Sequence, residues 1–158
     1  MAAAACTKDP PPKTEAIAPT DYVSPKGPMT PSPAGATQTI VEKTFNLKAS
    51  AIFPFEIPAH AAQPHLHGIF ESFAGPGRGA SDDSANIDLL LLNEDQQADF
   101  ASNRPSDAMF SVEASHNQAV NFDLPPSMKT PVKYYLVFRS PGGNKGARIV
   151  EANFRVDF

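Results

Sequence analysis

The sequence predicts an all-β protein: an antiparallel β-sandwich, jelly-roll-like, of about eight strands with one short helix, preceded by a disordered Pro-rich N-terminal tail. Three observations predict it. From Gln38 onward, short runs alternate apolar and polar residues, the period-two signature of half-buried strands. Clusters of Gly, Pro, Asn and Asp separate those runs. Prolines crowd the start of the chain, where Pro10 to Pro12, Pro19, Pro25, Pro28, Pro31 and Pro33 all precede Gly35.

That opening stretch, Thr7 to Thr37, holds almost no large apolar residue. Its charges balance, with Lys8, Lys13 and Lys26 against Asp9, Glu15 and Asp21. Such a segment cannot bury enough surface to offset its ordering entropy. Proline-rich linkers favour extended geometry and act as semi-rigid spacers. Residues 1–37 are therefore expected to be a disordered tether and residues 38–158 the folded domain. The whole chain of 158 residues suits one domain with an appendage, and 41% hydrophobic residues with eleven Phe supply a core. A net charge of −4 gives no basic footprint, which excludes nucleic acid as the expected partner. No stretch approaches the ~18 consecutive apolar residues of a membrane span.

The elements follow in order. In "TIVEKTFNLK" (39–48), Val41, Phe45 and Leu47 share one face, and Glu42, Thr44, Asn46 and Lys48 take the other. In "AIFPFEIP" (51–58), Phe53, Phe55 and Ile57 alternate with Pro54 and Glu56. Pro54 lacks an N–H, which predicts an edge strand or a bulge. "HLHGIFESF" (65–73) is a third strand. "NIDLLLL" (86–92) is apolar on both faces and suits a central, doubly covered strand. "NEDQQADFA" (93–101) is the one helical piece, with Asn93 as cap and Gln96 at the reciprocal position of a capping box. "AMFSVEA" (108–114) and "QAVNFDL" (118–124) predict a hairpin around "SHN". "PVKYYLVFRS" (131–140) precedes the turn "PGGNKG". The last strand is the cleanest: Val150, Ala152, Phe154, Val156 and Phe158 point one way, and Glu151, Asn153, Arg155 and Asp157 the other.

Candidate chemistry centres on "PHLHGIFE". On an extended strand His65 and His67 share a face about 7 Å apart, which permits joint ligation of a metal. Glu71 then lies about 13 Å beyond His67 and joins them only if the chain folds back near Gly68. "HGIFESF" reads instead as one uninterrupted strand, so the expectation is surface histidines, with His60 the remaining candidate for a casual two-His site. "GPGRGASDD" lacks the Lys-Ser/Thr and helix of a phosphate loop. Asp82, Asp83 and Asp88 offer hard oxygens, but their spacing matches no calcium loop, and a solvated acidic loop is expected. No G-x-S-x-G elbow is present for a serine nucleophile. Tyr134 and Tyr135 fall on opposite faces, one in the core.

Three resemblances bear on these residues. "MAAAACTKD", small residues running into the only cysteine and then a polar tether, resembles the end of a bacterial lipoprotein signal. It implies lipidation of Cys6 and a location in the cell envelope, periplasmic or secreted. Ala3 stands where Leu is typical, and an upstream start would supply the charged and apolar parts of a signal. "KYYLVFRSPGGNKGARIVEANFRVDF", preceded by "FPFEIP", "LHGIFESF" and "NIDLLLLNEDQ", resembles GOLD-like (Golgi-dynamics-type) β-sandwich domains of bacterial secreted proteins. That resemblance covers roughly 38–158 and implies a non-catalytic interaction domain with no cofactor, whose partner is a protein or other envelope ligand. "HLHGIFE" also resembles the first motif of cupins, H-x-H-x-x-x-E, on His65, His67 and Glu71. With His116 from a second motif it implies a metal-dependent jelly-roll enzyme holding Mn²⁺, Fe²⁺ or Ni²⁺. The sequence departs from that pattern at Ala59 and Arg78, where glycines belong, and "SVEAS" lacks the Pro-x-Gly of the second motif.

Overall fold

Period-two alternation cannot bury a face without a second sheet to pack against, and the chain builds both sheets. The computed structural model describes residues 35–75, 79–141 and 146–158. The expected tether lies outside the described residues except for Gly35 to Thr37, and Cys6 lies outside them too. The strands are β1 (Thr37–Leu47), β2 (Ser50–Ile57), β3 (His65–Ala74), β4 (Ile87–Asn93), β5 (Phe110–Ser115), β6 (Asn117–Asp123), β7 (Val132–Arg139) and β8 (Arg148–Asp157). A single helix, α1 (Glu94–Ala101), follows β4, and a short 3₁₀ turn, Asp83–Ala85, precedes it. The sheets run β1–β8–β3–β6 and β2–β7–β4–β5, every pair antiparallel. Two four-stranded sheets in this interleaved order make a jelly roll.

The expected faces hold, with one exception. Val41, Leu47, Phe55, Ile57, Leu66, Phe70, Leu89, Leu91, Leu136, Val150, Phe154 and Val156 fill the space between the sheets. The exception is a register shift in β1 between Thr39 and Val41, where Ile40 is the extra residue opposite β8. Such a bulge turns Ile40 partly inward and changes which parity faces the core. Alternation read from Val41 onward does not reveal it.

Aromatic rings join the two sheets. Phe138 on β7 meets Phe45, Phe53, Phe70 and Phe154 at ring centroid separations of 5.3, 5.8, 5.9 and 5.9 Å, all edge-on. Edge-on pairs are worth roughly 0.5–1.5 kcal/mol each beyond the area they bury. Gly68 belongs to the same packing. Its strand partner on β8 is Phe154, and a Cβ at residue 68 would collide with the Phe154 ring and with the Asn153 carbonyl. The glycine makes room for a ring, and β3 passes it without a fold-back.

Pro54 sits on β2, an edge strand as predicted. Ile87–Leu92 of β4 is buried on both faces, also as predicted, since β4 lies between β7 and β5. Its outer side is covered by a small second cluster: Leu90, Leu92 and Val137 against Phe100, Ala108 and Tyr135. Tyr134, on the opposite face, is buried in the main core beside Phe55, and burial raises its phenol pKa above the ordinary value. Helix α1 has both halves of its capping box: Asn93 Oδ1 accepts from the Gln96 N–H at 2.9 Å, and Gln96 Oε1 accepts from the Asn93 N–H at 3.0 Å.

Asp88 differs from expectation. It is not part of a solvated loop but lies on β4, 7% exposed. Its Oδ2 accepts from Arg139 Nη2 at 2.7 Å and Nε at 3.1 Å, and its Oδ1 accepts from the Ala114 N–H at 3.0 Å. Ala114 has φ 50° in a bulge of β5, where Glu113 and Ala114 together stand opposite Asp88. The carboxylate thus satisfies an amide that the bulge takes out of the ladder.

Two substitutions test this packing. Phe138→Ala empties a site that four rings share and is expected to lower unfolding free energy by about 3–5 kcal/mol in urea titrations. Gly68→Ala is expected to cost about 1–3 kcal/mol by overpacking against Phe154, whereas a surface strand glycine would gain from the same change.

Candidate functional site

The sheet register decides which candidate residues meet. On the outer face of β1–β8–β3–β6, residues align in rows across the strands. One row is Thr37, Asp157, His65 and Asp123; the next is Thr39, Arg155, His67 and Asn121. Two rows further along, Thr44, Glu151, Glu71 and Asn117 stand side by side.

His65 and His67 are therefore neighbours, their rings stacked with centroids 5.9 Å apart and planes at 20°. Each faces a carboxylate. His65 Nδ1 lies 2.7 Å from Asp123 Oδ1 and its Nε2 3.3 Å from Asn121 Oδ1. Two oxygen acceptors on two ring nitrogens favour the doubly protonated ring. Its pKa is accordingly raised, the Asp123 hydrogen bond being the largest cause. His67 Nε2 lies 3.0 Å from Asp157 Oδ2. Asp157 also accepts from the Thr37 hydroxyl at 2.7 Å, and that bond most of all holds its pKa below the ordinary range.

Glu71 does not join them. β3 runs straight, and the carboxylate belongs to the row paired with Asn117. His116 is at that same far end, in the β5–β6 turn, where its carbonyl accepts from the Ser72 N–H at 2.8 Å. Its ring turns to Asn86, Nδ1 to Oδ1 3.0 Å, and to Asp83 at 3.9 Å. Six residues of strand separate it from the His65 end, about 20 Å at the usual rise. His60 occupies a left-handed turn, φ 64°, with its N–H donating to Met128 O at 2.8 Å. The cupin-like set is thus split between two ends of one sheet. Among the described residues no group of three or more His, Cys, Asp and Glu side chains is placed to hold a metal ion. Asp82 caps the 3₁₀ turn, accepting from the Ser84 N–H and hydroxyl, which lowers its pKa. It serves the chain itself.

What the sequence did not single out is the centre of this face. Ile69 is 51% exposed and lies in a depression of about 330 Å³ with Glu42, Glu71, Asn117, Glu151 and Asn153 around it. Glu71 and Glu151 are directly opposed across β3 and β8, an arrangement of like charges that disfavours the pairing. Arg155 Nη2 approaches Glu42 at 3.4 Å, and the Thr44 hydroxyl donates to Glu151 at 3.4 Å. The only signal in the sequence was Ile69 on the polar parity of its strand.

No family model matches the chain, and no curated protein matches it. Among solved structures it is similar to the pre-peptidase C-terminal domain of a collagenase from Bacillus anthracis, with a TM-score of 0.39 and 13% identity over 75% of this chain and 89% of that one. It is similar also to the infectious bursal disease virus Gx strain structure, with a TM-score of 0.37 and 13% identity over 76% of this chain and 30% of that one.

Two measurements follow from the geometry. His65 has a raised pKa, so its contribution to stability is fully present below the unfolded value of 6.5 and is lost as pH rises through the folded value. Asp157 has a lowered pKa, so its contribution is present above 3.8 and is lost as pH falls through the folded value. The melting temperature is expected to decline on both sides of that window, and His65→Gln is expected to flatten chiefly the alkaline side, since His65 contributes least among the causes that lower the Asp157 pKa. Separately, adding Mn²⁺, Fe²⁺ or Ni²⁺ is expected to leave the melting temperature unchanged. A stoichiometric transition metal in purified protein that disappears in His67→Ala would contradict the split geometry.

Proposed function

We propose that this protein is a non-catalytic recognition or scaffolding module of the bacterial cell envelope, a GOLD-like β-sandwich on a Pro-rich tether with Cys6 as the site of lipid attachment. The observation that carries the proposal is the unequal treatment of the two outer faces. The β2–β7–β4–β5 sheet has its outer side covered by the Phe100, Ala108 and Tyr135 cluster. Among the described residues the β1–β8–β3–β6 sheet has no such cover, and an exposed Ile69 sits at its middle among carboxylates and amides. An apolar side chain ringed by polar groups is the composition of a recognition surface.

The histidines fit the same account. They are held by Asp123 and Asp157 at one margin of the open face, where they join the ends of β1, β3, β6 and β8. Under this proposal membrane association comes through Cys6; among the described residues no helix is long and apolar enough to span a bilayer. A negative net charge argues against a nucleic-acid partner. The partner under this proposal is a protein or other envelope ligand.

Two experiments test it. Expressed from an upstream start in a bacterial host, the chain is expected to partition into detergent, and Cys6→Ser is expected to leave it in the aqueous phase. Equal partitioning of the two forms removes the anchor. A photo-crosslinking residue at position 69 is expected to give a discrete envelope adduct in living cells. An adduct pattern indistinguishable from the same probe at Asp95, on α1, removes the open face as the recognition surface.

A further inference from the structure

A second surface is built differently. On the β2–β7–β4–β5 side, a groove of about 850 Å³ runs between the β1–β2 turn, the edge strand β2, the end of α1 and the end of β7. Lys48, Ile52, Phe100, Arg104 and Arg139 line it. They come from three separate stretches of the chain, which meet because β2 and β7 pair while α1 folds over β4.

Two properties define what fits. The floor is apolar: Ile52 is 40% exposed at the edge of the sheet, and Phe100 reaches in from the helix while its other side rests on the Leu90, Leu92 and Val137 cluster. The rim is cationic. Among the described residues Lys48, Arg104 and Arg139 line the groove and no carboxylate does, in a chain whose net charge is −4. Arg139 is committed in part to Asp88 through Nε and Nη2. Arg104 is 71% exposed, with Asp99 only within 3.6 Å, and an exposed pair of that length constrains the guanidinium little. Lys48 has no partner among the described residues. A neighbouring depression shares Phe100, Arg104, Pro105 and Arg139 with the groove and adds Asp107 and Glu113, so carboxylates enter only beyond the shared arginines.

The strand beside Ile52 adds a directional element. β2 has a sheet neighbour, β7, on one side only. A chain lying along its start at Ser50–Ile52 meets an edge strand, whereas further along Pro54 removes a donor and ends such pairing. A headgroup has no main chain to lay against this edge; an extended peptide does.

The geometry points to this groove as the docking site for an extended acidic segment of a partner protein. A carboxylate sits between Lys48 and Arg104, and the adjacent aliphatic side chain covers Ile52 and Phe100. The site is separate from the open face around Ile69, and neither depends on the other.

The test uses the full chain and labelled, capped peptides of alternating Glu and Leu, with Gln–Leu and Lys–Leu peptides as controls, read by fluorescence anisotropy. The Glu–Leu peptide is expected to bind saturably and to weaken as salt rises. Lys48→Glu and Arg104→Glu are each expected to reduce affinity about tenfold. Ile52→Gln is expected to weaken binding severalfold, as loss of one apolar contact does. These side chains are exposed, so the melting curves of the variants should match the parent. If a charge reversal disturbs folding, Lys48→Gln and Arg104→Gln give the same comparison. Absence of saturable binding, equal binding of the Lys–Leu peptide, or indifference to the charge variants overturns the assignment. Binding to phosphatidylglycerol vesicles, lost in Arg104→Glu, with no binding of the Glu–Leu peptide, also overturns it in favour of a membrane surface.

Discussion

The ring of Phe138 is the contact on which the sandwich depends. It projects from β7 between the sheets and touches rings from β1, β2, β3 and β8 at once. Both sheets are held at one spacing by this edge-on cluster, and the close approach of Phe154 over Gly68 follows from it. The outer rows of the open sheet inherit their alignment from the same packing. A shift of one residue in β3 against β8 would turn every outward side chain inward. The positions of His65, His67, Ile69 and Glu71 are therefore consequences of core packing before they are consequences of any chemistry.

Several polar groups inside the fold are satisfied by partners that the folded chain brings to them. Ser72 is fully buried and its hydroxyl donates to the Ala85 carbonyl. Ser127 joins two loops: its hydroxyl donates to the Pro58 carbonyl and accepts from the Ala61 N–H. Asp88 serves both an arginine and a bulge amide. Each is a case in which leaving a buried polar atom unpaired would cost on the order of 1–3 kcal/mol. Together they tie the segments at Pro58–Ala61, Ala85 and Ala114 to the residues packed beside them.

Much of this was legible in the sequence because alternation and turn chemistry are local. The eight strands, the central placement of β4, the edge placement of β2 through Pro54 and the capping box of α1 all depend on residues within a few positions of each other. The straight run of β3 was legible for the same reason. What was not legible depends on register. The bulge at Ile40, the burial of Asp88 beneath Arg139 and the carboxylate partner of each histidine require knowing which strand lies beside which. Asp82, Asp83 and Asp88 looked alike as an acidic stretch, yet Asp88 sits within a strand and is buried while the other two flank a turn. The cationic groove was the least legible, since no two of its lining side chains among Lys48, Ile52, Phe100 and Arg139 come from the same strand or helix.

Pro54 has a wider consequence. An edge strand with a full row of free amides is a template onto which a second copy can zip, and repeated zipping produces fibrils. Substituting a ring for one of those amides caps growth at β2, while Glu42, Lys43 and Thr44 keep the facing rim of β1 hydrated and charged. Copies of the domain that meet edge to edge are then kept from adding strand to strand.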